Sequence, residues 1–264
     1  MTGIAFSSLC YEGTQGQVDW RGLQSAADDA FDAFLCSEVE ARLHDREGAE
    51  DFEAHLRGLA NTGFARDSLG AILAAQVPEE RDWAIGEAMA EAHLQQAHDV
   101  VWPWNMDRDK RTPKASLPGA DLVGFQVEDD LVRLALGEVK TSSDKKTPPN
   151  VMSGRSGMTH QLEGLADDLT LTWQLLKWLE PRCRGPEHHR LFDAAVGLLL
   201  ESGNRAVALF GVLIRDIQPD ELDLSARAKT LAGTLQNPTR CQLIALYLPC
   251  TVADLPTRMS GGKP

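Results

Sequence analysis

From Trp20 to about Leu73 apolar residues recur at helical spacing, first Ala27, Phe31, Phe34 and Leu35, later Leu56 and Leu59, with breakers at Gly48 and Asn61-Thr62-Gly63. An apolar stripe repeating every three to four residues is the mark of an amphipathic helix, so this front reads as two or three helices. Pro78 followed by Glu79-Glu80 opens another helix, because a proline in the first turn has no N–H to leave unpaired. Trp83, Glu87, Ala90, Glu91 and Leu94 lie along it, and Pro103 stops it. The pattern then changes. Asp121-Leu-Val-Gly-Phe-Gln-Val127 and Leu131-Val-Arg-Leu-Ala-Leu-Gly-Glu-Val-Lys140 read as strands, and Glu128-Asp129-Asp130 between them is a short turn that suits an antiparallel hairpin. Thr141 to Gly157, rich in Ser, Lys, Pro and Gly, reads as a loop. Helical spacing returns from about His160 to Leu179 and from Glu187 to Glu201. Two continuous apolar runs, Ala206 to Ile214 and Cys241 to Leu248, are typical of strands covered on both faces. The expectation is an α/β protein with a helical N-terminal region over 1–77 and, over 78–264, a mixed sheet flanked by helices. No internal repeat is visible, and Ser260-Gly-Gly-Lys-Pro264 reads as a short flexible end.

A chain of 264 residues suits one large domain or two modest ones and can bury a substantial core. Its five cysteines, Cys10, Cys36, Cys183, Cys241 and Cys250, contain no Cys-x-x-Cys pair, which argues against a zinc ribbon or a secreted disulfide framework. Met1-Thr-Gly-Ile-Ala-Phe6 has no basic segment followed by an apolar one, and no apolar run is long enough to span a bilayer. The expectation is a soluble cytoplasmic protein with no membrane partner.

The net charge of −13 weighs against a free-standing nucleic-acid binder, because affinity for a polyanion depends on neutralising its phosphates. The bias is uneven. Nine basic and eight acidic residues fall between Val100 and His160, a local sum of +1, so the rest of the chain carries −14. An acidic surface keeps a protein soluble. If such a chain acts on a nucleic acid, its charge implies that a partner supplies most of the grip.

Side chains alternate along a strand, so Leu134, Leu136, Glu138 and Lys140 share one face while Ala135, Gly137, Val139 and Thr141 share the other. A carboxylate and an ammonium at the end of an apolar strand are costly to desolvate unless they pair, reach water or hold an ion. Alone, Glu-x-Lys reads as an ion pair, since the tripeptide is common. Asp121 changes that reading. It opens the preceding strand after Pro118-Gly119-Ala120, and the hairpin can fold it back beside Glu138. Two carboxylates so placed form a hard-oxygen site suited to Mg²⁺, with Mn²⁺ able to substitute. Glu87 on the preceding helix could add a third, directly or through water, and Glu91, four residues on, shares its face and competes for that role.

The order of a helix with Glu87, Gly119-Ala120-Asp121, Glu138-Val139-Lys140, a helix with Gln161 and a buried strand resembles the αβββαβ core of the PD-(D/E)xK nuclease superfamily, over about Trp83 to Ile214. Within it, Ile85-Gly-Glu-Ala-Met-Ala-Glu91, Pro118-Gly-Ala-Asp-Leu-Val-Gly-Phe125 and Leu136-Gly-Glu-Val-Lys-Thr-Ser142 are most similar to the HamA effectors of bacterial Hachiman antiphage systems. One departure is that the proline of the motif stands at Pro118 rather than directly before Asp121. The resemblance implies metal-dependent hydrolysis of DNA phosphodiesters leaving 5′-phosphate ends. Asp121, Glu138 and the Val139 backbone carbonyl would be metal ligands, Glu87 a further one, and Lys140 the group that orients water or neutralises charge. It also implies an ATP-dependent, HamB-like helicase as partner. Gln161 could touch water or phosphate near the metal, or be a polar residue at an exposed helix start, and both readings stay open.

Other residues carry weaker chemistry. His188-His189 point in different directions on a helix, and His93 and His98 lack ligand spacing. Trp102 and Trp104 with Arg108, Lys110, Arg111 and Lys114 could stack on bases and hold a backbone, or the rings could fill core. Gly-x-x-x-x-Gly-Lys-Ser/Thr does not occur, so an ATP-driven step belongs to another polypeptide. Three classes of function remain: an antiphage effector nuclease working with a helicase, a stand-alone restriction-type endonuclease, and an inactive scaffold of the same fold.

Overall fold

The computed structural model describes residues 6–75, 84–109, 119–129 and 131–261. Pro78, Glu79-Glu80, Trp83, Lys110, Arg111, Lys114, Pro118 and Asp130, invoked above, lie outside the described residues.

The front corrects the helical expectation. β1 (Ser7–Gln15) and β2 (Val18–Ser25) form an antiparallel hairpin, turned at Gly16, whose φ of 59° is open to glycine without strain. Val18 and Trp20 are buried while Asp19 and Arg21 are half-buried, so Trp20 belongs to a two-residue alternation and not to a helical stripe. Helices begin at α1 (Asp29–Phe34), where the Asp28 side chain accepts the Phe31 N–H at 2.9 Å. The chain passes through a π-helical turn at Leu35–Val39 into α2 (Glu40–Leu43), burying Phe31, Phe34, Leu35, Val39 and Leu43. α3 (Arg46–Leu59) and α4 (Gly63–Ala74), capped by Asp45 and Thr62, bury none of their residues.

α5 (Ile85–His98) is mostly buried, and its buried residues include the polar Glu91, His93 and His98 beside Ile85, Ala88, Met89 and Leu94. It ends at Asp99, whose φ is 51°, and β3 (Val100–Val101) and α6 (Met106–Asp109) follow. β4 (Leu122–Glu128) and β5 (Leu131–Ser142) form the expected hairpin. The stretch from about His160 to Leu179 divides into α7 (Met158–Asp167) and α8 (Leu169–Leu179), because the Asp168 side chain accepts from the N–H groups of Thr170 and Leu171 and so starts a new helix. α9 (Gly185–Glu201), β6 (Val207–Arg215), α10 (Ser225–Thr234), β7 (Arg240–Tyr247) and α11 (Leu255–Met259) complete the order.

The architecture is α/β, with a seven-stranded mixed sheet in the order β1-β2-β7-β6-β5-β4-β3. β2, β7, β6 and β5 run parallel, and β1, β4 and β3 pair antiparallel with their neighbours. Through β2 and β7 the N-terminal hairpin shares one sheet with the strands after residue 77. Every residue of β6 is buried, which fits a strand covered on both faces. Gly86 shows which helix lies on one face: a Cβ there would stand 2.3 Å from Thr141 Oγ1 and 3.5 Å from Ile214 Cδ1. Gly211 shows the other: a Cβ there would stand 2.7 Å from Met158 Sδ and 3.0 Å from Leu162 Cδ1. α5 thus covers the face of Val139 and Thr141, and α7 covers the face of Glu138 and Lys140.

Candidate active site

The β4–β5 register assembles the site. Leu122 pairs with Gly137, so Asp121, one position earlier, faces Glu138 across the hairpin. The Asp121 N–H donates to the Gly137 carbonyl at 3.0 Å, and the Val139 N–H donates to Asp121 Oδ2 at 2.9 Å. These two bonds fix the Asp121 carboxylate at the point where β4 begins. In an extended strand the N–H and C=O of one residue point toward the same neighbour. The Val139 carbonyl therefore also faces the Asp121 side, just beyond the start of β4.

Glu138 is 3 % exposed and accepts from the Lys140 ammonium on the same strand face. Burial first, and the nearby Asp121 carboxylate second, push the Glu138 carboxyl up to about 7 against the opposing pull of Lys140. A buried carboxylate whose ionisation is opposed by a second carboxylate beside it belongs to a donor set that a divalent cation would relieve. The donors are all oxygen: two carboxylates and a strand carbonyl, the chemistry Mg²⁺ prefers. Among the described residues no three His, Cys, Asp or Glu side chains gather closely enough to hold an ion by themselves, so water would complete the shell.

Gln161 lies in the first turns of α7, between Met158 and Leu162, which pack over Gly211, the register partner of Glu138. Its Oε1 is buried and has no hydrogen-bond partner. An orphaned buried acceptor is costly unless a water or ligand satisfies it, and this one sits on the face of Glu138. Glu87 follows Gly86, which meets Thr141 one residue beyond Lys140, so it stands near the same strand end but on the helix covering the opposite face. That position suits the through-water role better than direct ligation. Glu91 is wholly buried and pairs with Arg42 at 2.8 Å.

The other chemistry-bearing residues are placed elsewhere. The Trp102 and Trp104 rings are core, with their Nε1–H groups donating to the carbonyls of Glu91 at 3.0 Å and Val123 at 2.7 Å. His93 and His98 are buried together on α5, ring centroids 5.9 Å apart, and His188 Nδ1 lies 3.1 Å from the Arg184 carbonyl. Arg215, which the sequence alone does not single out, is wholly buried two register positions beyond Lys140. Its signal was an arginine closing the apolar run of Val207 to Ile214. No helix among the described residues is long and apolar enough to cross a membrane. No protein-family model matches the chain, and no curated protein matches it.

Proposed function

We propose that the chain is a Mg²⁺-dependent DNA nuclease of the PD-(D/E)xK type, acting as the effector of an antiphage defence complex with an ATP-dependent, HamB-like helicase. The observation that carries this reading is the register-fixed opposition of Asp121 and Glu138 with Lys140 on the same face. The element order adds support: α5, β3, β4, β5, α7 and β6 come in the αβββαβ order of that superfamily, with α6 added between β3 and β4 and α8 and α9 between α7 and β6.

Asp121, Glu138 and the Val139 carbonyl would hold the ion. Bound there, it supplies Lewis-acid polarisation of a phosphoryl oxygen and a lowered pKa for an attacking water. The residues do the rest. Asp121 is held by the Val139 N–H, so its carboxylate needs little reorganisation on loading. Lys140 leaves its ion pair with Glu138 to neutralise charge that grows on the phosphate, or to orient the water. Gln161 Oε1 offers an acceptor for that water.

The partner reading rests on charge and on α3 and α4. Outside Val100–His160 the chain sums to −14, which disfavours autonomous grip on DNA. α3 and α4 leave Phe52, Leu59, Phe64 and Ile72 exposed, beside Glu47, Glu50, Asp51 and Glu53 on α3. Exposed apolar side chains suit a protein partner, and the four acidic residues of α3 against its two arginines favour a basic one. The test is to purify the chain from its native cell, identify what co-purifies, and assay linear and circular DNA with Mg²⁺ and with EDTA. Metal-dependent cleavage together with a recovered motor protein supports the proposal. Tight autonomous DNA binding with no motor recovered favours the restriction-type reading, and no cleavage in either preparation favours the scaffold.

A further inference from the structure

The loop that follows β5 is fastened at the same end of the sheet as Lys140, by a residue that the site chemistry does not use. Arg215 ends β6 in register with Ser142, which puts its side chain on the face shared by Glu138 and Lys140. It is wholly buried and pairs with the equally buried Asp223. Its Nη2 donates to the Lys146 carbonyl at 3.0 Å and also to the Asp144 carbonyl. Asp223 accepts in addition from Tyr247 Oη at 2.8 Å, and Tyr11 Oη lies 2.7 Å from Tyr247 Oη. Burial raises both phenols above their ordinary range, so each keeps its proton and serves as a donor. A continuous chain of hydrogen bonds therefore runs from β1 through β7 and Asp223 to Arg215 and the loop.

The loop is also folded on itself. The Asp144 carboxylate accepts from the N–H of Lys146 at 3.0 Å and from the N–H and Nδ2 of Asn150 at 3.2 and 2.8 Å. Ser143 Oγ donates to Asp216 at 2.8 Å. A buried ion pair is a weak source of stability, because the desolvation of two charges offsets most of their attraction. What Arg215 provides that an apolar residue would not is a planar fork that turns two loop carbonyls inward. With those carbonyls turned in, the side chains of Lys145 and Lys146 stand exposed. Lys146 Nζ makes only a 3.4 Å contact to Asn150 Oδ1, which an anion would replace readily. Two adjacent cations on a loop fixed in advance lose little freedom when a ligand arrives.

We propose that residues 143–150 are a preformed grip for the phosphate backbone of a nucleic-acid strand, contacted by Lys145 and Lys146 and positioned by the buried Arg215 beside the Asp121–Glu138–Lys140 site. The grip rests on the nuclease reading and names the surface by which an acidic chain holds a polyanion. Titrating the full chain with labelled oligonucleotides in EDTA, from low to near-physiological salt, gives the slope of log affinity against log salt. Lys145→Gln with Lys146→Gln, both on exposed side chains, should fold as wild type and flatten that slope by about 2, roughly one phosphate contact per lysine. Arg215→Lys keeps a charge opposite Asp223 but lacks the fork. It should flatten the slope with both lysines in place, and hydrogen exchange should quicken over residues 143–150. An unchanged slope in the double lysine variant overturns the grip, and leaves the nuclease reading intact if wild type still cuts DNA with Mg²⁺. A flattened slope in a chain that never cuts upholds the grip and removes the nuclease reading. A folded Arg215→Lys chain with wild-type slope and exchange overturns the positioning role.

Discussion

The Val139 N–H donates to Asp121 Oδ2 at 2.9 Å, and this bond ties the first residue before β4 to the middle of the Glu138-Val139-Lys140 segment. It fixes the Asp121 carboxylate beside that of Glu138. The two acids crowd each other, and that crowding can be measured.

Glu138 has a folded pKa of about 7 against an ordinary 4.5, so the folded chain holds a proton that the unfolded chain releases. The stability tied to that proton is complete below 4.5 and is lost as pH rises through about 7. In EDTA, Glu138→Gln should therefore gain on wild type by about 2–3 kcal/mol as pH is raised from 4.5 to about 8. Urea unfolding of both proteins across that range reads the difference, and a pH-independent difference would mean that the carboxyls are not crowded.

His93 and His98 carry the opposite sign. Burial, then His98 and Arg21, push His93 down to about 3, and burial and Arg21 push His98 down to about 4, from an ordinary 6.5. Both are neutral when folded and take up protons when unfolded. The stability they contribute is full above 6.5 and falls away toward 4. His98→Leu should abolish about 2 kcal/mol of the loss that wild type suffers between about pH 6.5 and pH 5. Because the Glu138 effect shares part of this window, each is read as variant minus wild type. An acid limb identical in the two proteins would refute the buried neutral imidazole.

Gly137 precedes Glu138, and a Cβ there would stand 2.4 Å from the Phe210 carbonyl oxygen. That oxygen belongs to the neighbouring strand and cannot swing aside. Gly137→Ala should cost about 1–3 kcal/mol and move Glu138 out of register with Asp121. Denaturation of the variant, with cleavage assayed well below its midpoint, tests both parts. Wild-type stability would show that β5 and β6 are less tightly apposed.

Phe52 and Phe64 are 61 % and 84 % exposed. Phe52→Ser with Phe64→Ser should leave thermal stability unchanged, since neither ring is in the core, and should abolish co-purification of the proposed helicase partner. Retention of the motor by a stable double variant would move the docking surface off α3 and α4.

The hairpin that carries the site was legible because its pattern is strong. An apolar strand interrupted by Glu138 and Lys140, with Asp121 opening the strand before it, fixes register and face almost by itself. Ala206 to Ile214 and Cys241 to Leu248 were equally plain, each shifted by one residue from β6 and β7. The N-terminal hairpin was not, because β1 is an edge strand with only half-buried or exposed residues and therefore no apolar alternation to betray it. Val18, Asp19, Trp20 and Arg21 did alternate, but the helical spacing downstream absorbed Trp20. Asp168 was also missed, since a capping carboxylate inside a helical stripe leaves the period intact on both sides. Arg215 illustrates a further limit: a buried arginine is recognisable only once Asp223 and the loop carbonyls are seen around it.

The most direct measurement is cleavage of linear and circular DNA by the purified chain with Mg²⁺, compared with Glu138→Ala combined with Lys140→Ala and with Asp121→Ala, each checked for fold by circular dichroism and thermal unfolding. Wild type should cut only when the metal is present, and the double variant should fold and not cut, a loss of at least about a hundredfold, as expected when charge-stabilising groups are removed from a phosphoryl site. Asp121→Ala should also bind Mg²⁺ more weakly. Cleavage at the wild-type rate by a folded double variant, or cleavage untouched by EDTA, would contradict the assignment.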